Sequence, residues 1–262
     1  MEIVGYVASL LIGLSLGLIG GGGSILTVPI LVYLFDIGPI LATSYSLFIV
    51  GATSLVGSIN HFVNKKVDIK TVFIFGTVSV VTVFCIRHFI IPHLPKEITI
   101  AGHTILVSLI TMLLFAILMI ASSFSMIKSR PDYEARHLHK INIFKVALYG
   151  IAVGVVTGLL GAGGGFLLIP ALVLFLRLPI KTAIGTSLVI ITINSLIGFS
   201  DDISHHTMDW SLLLKITAIS IIGVFIGTAI GKRMGGTQLK IGFGWFILLM
   251  GIYIFFHELA MA

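Results

Sequence analysis

Apolar runs fill most of the chain, at 3–19, 24–35, 39–62, 69–91, 101–125, 143–160, 165–176, 181–200, 211–231 and 239–257. Eight of these ten approach or reach the length a helix needs to cross a hydrocarbon core, about 20 residues. The exceptions, 24–35 and 165–176, have 12 residues each. That is about 18 Å of helix against a core of roughly 30 Å. Each follows a glycine cluster and contains a proline, Pro29 or Pro170. The pattern predicts an all-α polytopic membrane protein with about eight full transmembrane helices. Two glycine-initiated half-helices, re-entrant or short spans, complete it. The one long polar stretch, 127–142, reads as a linker between a first transmembrane repeat (1–126) and a second (143–262).

The two parts repeat one another. A shift of 141 residues lays Gly17-Leu18-Ile19-Gly20-Gly21-Gly22-Gly23-Ser24 on Gly158-Leu159-Leu160-Gly161-Ala162-Gly163-Gly164-Gly165. Nine of the 17 positions from 17 to 33 are identical, and Pro29 falls on Pro170. Without a gap, the shift also aligns Ala42 with Ala183, Ser46-Leu47 with Ser187-Leu188, Ser54-Leu55 with Ser195-Leu196, Gly57 with Gly198 and Asp68 with Asp209. Chance likeness between apolar helices would not hold one register through glycines, a proline and an aspartate.

Composition narrows the class. The 262 residues are 57% hydrophobic and 10% charged, where a soluble domain averages roughly 25% charged. This excludes an ordinary cytosolic enzyme, a disordered chain and a nucleic-acid-binding domain. The net charge of +6 sets topology rather than recruiting nucleic acid. If each glycine-centred pair of segments enters and returns to one face, or crosses twice, 13 of the 16 basic residues share one side. Arg87, Lys96 and Lys215 lie on the other. By the positive-inside rule the basic side and the linker are cytoplasmic and both termini lie outside. The basic loop 63–70 then corresponds to the acidic loop 201–209, so the repeats have inverted topology, as in many secondary transporters. Met1-Glu2-Ile3 offers no basic n-region, so no cleavable signal peptide is expected. Cys85 lies alone in an apolar run and can form no intrachain disulfide.

The candidate chemistry sits at the glycine clusters. A helix break at membrane depth frees backbone groups that only protein or a water-filled cavity can satisfy. At the start of each half-helix the amides of Gly22, Gly23 and Ser24, and of Gly163, Gly164 and Gly165, would face the break, where a helix N-terminus attracts anions. Close helix packing is the alternative use of such glycines. Thr43, Ser44, Tyr45 and Ser46 in one repeat and Thr186 and Ser187 in the other supply hydroxyls near the start of equivalent helices, with Thr53-Ser54 and Asn194-Ser195 further along. Such hydroxyls either line a pathway or bond back to their own helix. No carboxylate falls mid-span, where cation and proton pathways usually place one, which favours an anionic or neutral substrate. The histidines form no metal set: His205-His206 and His137 and His139 lie in loops, and His103 suits helix packing ahead of facing a pathway. No cofactor is expected.

The duplicated glycine–proline motif and Ala183-Ile184-Gly185-Thr186-Ser187-Leu188 resemble the sulfite exporter TauE/SafE family, also called the toluene sulfonate uptake permease family. The resemblance spans essentially the whole chain. It implies a bacterial or archaeal inner-membrane secondary transporter, often an exporter, of organic sulfonates, sulfite or related sulfur oxyanions. The first repeat reads Ala42-Thr43-Ser44 where the family has Gly-Thr-Ser, so the likeness points to Thr186 and Ser187 ahead of Thr43 and Ser44. The expected site is Gly22, Gly23, Ser24, Thr43, Ser44, Ser46, Gly163, Gly164, Gly165, Thr186, Ser187 and Asn194, used in alternating access on a small anion. The alternatives are an anion channel, an intramembrane serine protease with Ser24 activated by His61 or His103, and a non-transporting scaffold.

Overall fold

The computed structural model describes residues 2–21, 23–94, 97–100, 103–128, 143–161, 163–174, 176, 178–203, 207–231 and 236–261. Among them are ten helices: α1 Glu2–Ile19, α2 Gly23–Phe35, α3 Pro39–Val63, α4 Ile69–His93, α5 Val107–Ile127, α6 Ile143–Leu160, α7 Gly165–Leu174, α8 Ile180–Asp202, α9 Trp210–Gly231 and α10 Gly236–Met261. α4 is one rod with π turns at Val72–Gly76 and Ile86–Ile90. Four segments, Pro39–Val63, Ile69–His93, Lys181–Asp202 and Trp210–Gly231, are long and apolar enough to cross a membrane; among the described residues, shorter apolar stretches lie at Val4–Ile19, Gly23–Phe35, Leu109–Phe124, Val146–Leu160 and Gly244–Ala260. Nearly all of the expected linker, 129–142, lies outside the described residues, as do His137, His139, His205 and His206.

One segment departs from expectation. The run 101–125 does not start as a helix: Glu97–Ile100 (β1) and His103–Leu106 (β2) form an antiparallel hairpin in which Ile98 pairs with Ile105 and Thr99 with Thr104. β-branched side chains, stiff at χ1, suit a strand better than a helix. Helix resumes at Val107, where the sequence turns to Leu, Met, Phe and Ala.

The half-helices follow from how their neighbours end. α1 stops at Gly20, at φ +78°, whose amide donates to the Leu16 carbonyl at 2.7 Å. α6 stops at the equivalent Gly161, at φ +64°, whose amide donates to Thr157 at 2.9 Å. A left-handed residue closes a helix cheaply only when it is glycine. α2 and α7 then begin within a few residues, with 13 and 10 residues respectively. Asp68 and Asp209 also have matched uses. Each carboxylate accepts from an amide in the first turn of α4 or α9, Lys70 and Leu212 respectively, both at 3.1 Å. Such N-caps satisfy donors that a helix start leaves over.

The principal helix pairings recur when the halves are exchanged. α1 packs on α9 and α6 on α4, the same pairing made twice, while α3 packs on α8, α2 on α7 and α5 on α10, each element against its own copy. Glycines bring these backbones together. Gly13 and Gly17 of α1 lie against the carbonyls of Ser220 and Val224, and Gly223 and Gly227 of α9 against those of Leu10 and Leu14. In the other half Gly154, the copy of Gly13, meets the carbonyl of Ser79, the copy of Ser220. Small residues at such spacing are how membrane helices gain packing without a hydrophobic driving force. Outward faces carry exposed Phe73, Phe144, Phe225 and Leu249, as lipid contact requires.

Candidate functional site

The two breaks meet at the centre of the molecule. A side chain on Gly21 would strike the carbonyl of Gly165, and one on Gly165 would strike Gly21. Gly20 lies against Ile184 at the start of α8, and Gly161 lies against Thr43, the copy of Ile184, at the start of α3. Each break is therefore seated on the long helix of the opposite half. Gly163 and Gly164 are left-handed too, at φ +61° and +69°. The Gly164 carbonyl accepts from Leu167 and Leu168 at 3.0 and 2.9 Å, so the amides of Gly164 and Gly165 precede the α7 hydrogen-bond ladder.

Buried polar atoms collect around this junction. Ser46, Val50 and Ser54 fall at i, i+4 and i+8 on α3 and share a face; Ser187, Ile191 and Ser195 do the same on α8. A Cβ on Gly163 would stand 3.0 Å from Ser195 Oγ and 2.7 Å from Val50. The hydroxyls of Ser46, Ser54, Ser195 and Thr157 and the side-chain oxygen of Asn194 are buried and have no hydrogen-bond partner. Leaving such groups unpaired costs roughly 1–3 kcal/mol each, and native interiors keep few of them. Of these, Ser195 and Thr157 stand beside the left-handed Gly163 and Gly164, and Ser46 and Ser54 lie one turn of α3 to either side of Val50, which packs on Gly163.

The residues expected from sequence divide by what they touch. Gly163, Gly164 and Gly165 form this junction, Ser46 lies one turn of α3 from Val50 beside it, and Asn194 turns its amide to α4. The Asn194 amide donates to Ser79 Oγ at 2.8 Å. Gly23 is buried against the Ile12 carbonyl. Ser24 Oγ donates to the Gly21 carbonyl at 2.8 Å, within the first break. Thr43 Oγ1 donates to Ile40 at 2.7 Å in its own helix. Ser187 Oγ lies 2.8 Å from the Ile184 carbonyl and 3.1 Å from that of Gly20. Thr186 Oγ1 accepts from the Asp68 amide at 2.9 Å, and its copy Tyr45 accepts through its phenol oxygen from the Asp209 amide at 2.6 Å. These two oxygens tie the caps of α4 and α9 to the opposite half. Gly22 lies outside the described residues.

Two features lie beyond the expected set. A cavity of about 310 Å³ is lined by Gly17, Asn60, His61, Lys66, Lys181 and Thr228, among others, with exposed Lys66 and Lys181 bringing two cations to it. The other is an ion pair. Arg87 and Asp202, expected in or beside loops on one face, are both buried, and Arg87 Nη1 donates to Asp202 Oδ2 at 2.8 Å. α8 runs on through Asp202, carrying that carboxylate inward from the acidic loop in which the sequence placed it. Arg87 did leave a sequence signal: it was a cation on the side that the charge distribution left nearly bare. Among the described residues no group of three or more His, Cys, Asp or Glu is placed to hold a metal.

A helical, lipid-exposed molecule of two like halves, with unpaired polar groups buried where its broken helices meet, is a multi-pass membrane transporter in class. The comparisons agree with that class and give the family. The chain matches the model of the sulfite exporter TauE/SafE family over residues 6–254 and belongs to that family. It is similar to a "probable membrane transporter protein" of Xylella fastidiosa (strain 9a5c), 30% identical over 258 residues covering 95% of this chain and 93% of the relative. A protein of the same description from Bacillus subtilis is 28% identical, with 97% of each chain covered. One from Methanocaldococcus jannaschii is 26% identical, over 96% of this chain and 93% of the relative. No solved structure matches the chain.

Proposed function

We propose that the protein is an inner-membrane secondary transporter, in the export direction, for a small sulfur oxyanion such as sulfite or an organic sulfonate. The observation that carries this is the pair of unpartnered buried hydroxyls of Ser195 and Thr157 beside the left-handed glycines at 163 and 164, with those of Ser46 and Ser54 a helical turn away along α3. A hydroxyl can turn its proton toward an oxyanion, and the amides that open α7 add donors and a positive helix end. No fixed charge stands among these groups, which suits an anion that must be released again.

The halves are of inverted topology, with the basic loops in the cytoplasm and both termini outside. The cavity beside Lys66 and Lys181 then opens to the cytoplasm and gathers anions. Its counterpart on the outer side is closed by Arg87 and Asp202, and exchange between the two arrangements is alternating access. A protease reading is weakened by Ser24, whose hydroxyl is spent on the Gly21 carbonyl within the break.

The test is flux of labelled sulfite and of methanesulfonate in liposomes holding the full-length protein. Saturable flux is expected. Flux rising linearly with concentration indicates a channel, and no flux of either anion sinks the reading.

A further inference from the structure

Arg87 is held in an unusual way for a charge inside a membrane protein. Its side chain has no exposed surface, and it sits in the π turn Ile86–Ile90 of α4; such turns often mark functional positions. Nη1 donates to Asp202 Oδ2 at 2.8 Å and lies 3.5 Å from Ser44 Oγ. Nε and Nη2 are buried with no hydrogen-bond partner. Those two nitrogens form one edge of the guanidinium plane. Their N–H bonds run side by side, a fork that receives two oxygens of one oxyanion. A buried guanidinium with three of its five N–H donors idle is costly, so simple structural use explains the pair with Asp202 but not the idle edge.

The repeat shows what this place is for. Shifting by 141 residues, the copies of Arg87 and Asp202 are Thr228 and His61, and both line the 310 Å³ cavity. At one of two equivalent places between the halves there is thus room for a small oxyanion, where the other place holds the guanidinium and its carboxylate.

We propose that the Nε–Nη2 edge of Arg87 is an oxyanion-binding site on the outer half of the pathway. Asp202 neutralises the guanidinium from its other end. The inference rests on the oxyanion-transport reading and adds a residue to it. An anion leaving the junction at Ser195 moves onto the Arg87 edge, and the added negative charge weakens the hold of Asp202.

Equilibrium binding of sulfite to the purified full-length protein in detergent tests this, with wild type, Arg87→Lys, Asp202→Asn and Ser195→Ala compared. Lysine keeps the charge and loses the fork, so Arg87→Lys is expected to weaken sulfite roughly tenfold or more. Asp202→Asn removes the guanidinium's hydrogen-bonded counter-charge, leaving only the weaker field of Asp201, and is expected to tighten sulfite about threefold or more while enlarging the thermal shift sulfite produces. Should Arg87→Lys fail to fold, Asp202→Asn decides alone. Dissociation constants within twofold of wild type for both, with Ser195→Ala still weakened, overturn the Arg87 site and leave the transport reading standing. No sulfite binding by wild type or any variant overturns both.

Discussion

Gly13 on α1 lies directly against the main-chain carbonyl of Ser220 on α9, with no side chain between the two helices. Any Cβ there must displace backbone rather than bend a side chain aside. Gly13→Val is therefore expected to destabilise by about 3 kcal/mol, the upper part of the range for overpacking. Gly242 has no atom within 4 Å of where its Cβ would stand. Gly242→Ala is expected to be neutral or to stabilise by up to about 1 kcal/mol through helix propensity. Thermal unfolding in detergent, read for both variants, checks the contrast.

Gly164 combines a left-handed backbone, φ +69°, with a Cβ position that would overlap Thr157 Oγ1. Gly164→Ala therefore meets two obstacles, of which backbone strain alone is worth about 1–2 kcal/mol. Adding Thr157→Ala removes the overlap and leaves the strain. Sulfite flux should fall steeply in Gly164→Ala and recover in part in the double variant. Full recovery would mean that backbone conformation at the break does not matter to transport.

The buried hydroxyls are expected to separate by role. Ser54→Ala and Ser195→Ala remove groups with no partner in the protein, so thermal stability should hold or rise while sulfite affinity falls about fivefold, one neutral hydrogen bond's worth. Thr186→Val removes the acceptor of the Asp68 amide and should cost about 1 kcal/mol of stability. A Ser195→Ala variant that lost stability and kept its affinity would reverse the assignment.

The helical class, the duplication and the two short helices were legible because each is written in sequence-local terms: apolar length, one register, glycine before a proline-containing run. The hairpin at 97–106 was hidden because Ile98, Thr99, Ile100, Thr104 and Ile105 are as apolar on average as a helix would be. At the candidate site, the sequence could point to the glycines at 163–165, whose left-handed or closely packed backbone the fold displays. Which hydroxyls stand unpaired it could not tell, since Thr186 and Ser195 look alike in sequence and differ only in whether a partner from another element reaches them. Asp68 and Asp209 showed the repeat, but their partners Thr186 and Tyr45 share no side-chain type, only an oxygen in the right place. Arg87 was visible as a misplaced cation; its burial against Asp202 needed the fold.

Lys66 and Lys181 both line the cavity, where on the proposed reading they would act on an approaching anion through their field. Lys66→Gln and Lys181→Gln should each raise the half-saturating sulfite concentration severalfold at low ionic strength. The difference should nearly vanish in ~1 M salt, where the Debye length shrinks to about 3 Å. An effect that persisted at high salt would indicate direct contact with the bound anion instead of steering.

The proposed inversion of the halves makes a sided prediction. Lys66 and Thr207 are exposed positions related by the 141-residue shift, each just ahead of the aspartate that caps α4 or α9. If the halves run in opposite senses, these equivalent positions face opposite sides of the membrane, Lys66 the cytoplasm and Thr207 the outside. The background for the test is Cys85→Ser, which removes the chain's one native cysteine. A membrane-impermeant maleimide added to intact cells should label Thr207→Cys and spare Lys66→Cys, and opening the cells should expose Lys66→Cys. Labelling of both from outside, or of neither, would place the two loops on one face. The halves would then be parallel, and the cavity beside Lys66 and the Arg87–Asp202 pair could no longer be the two ends of one pathway.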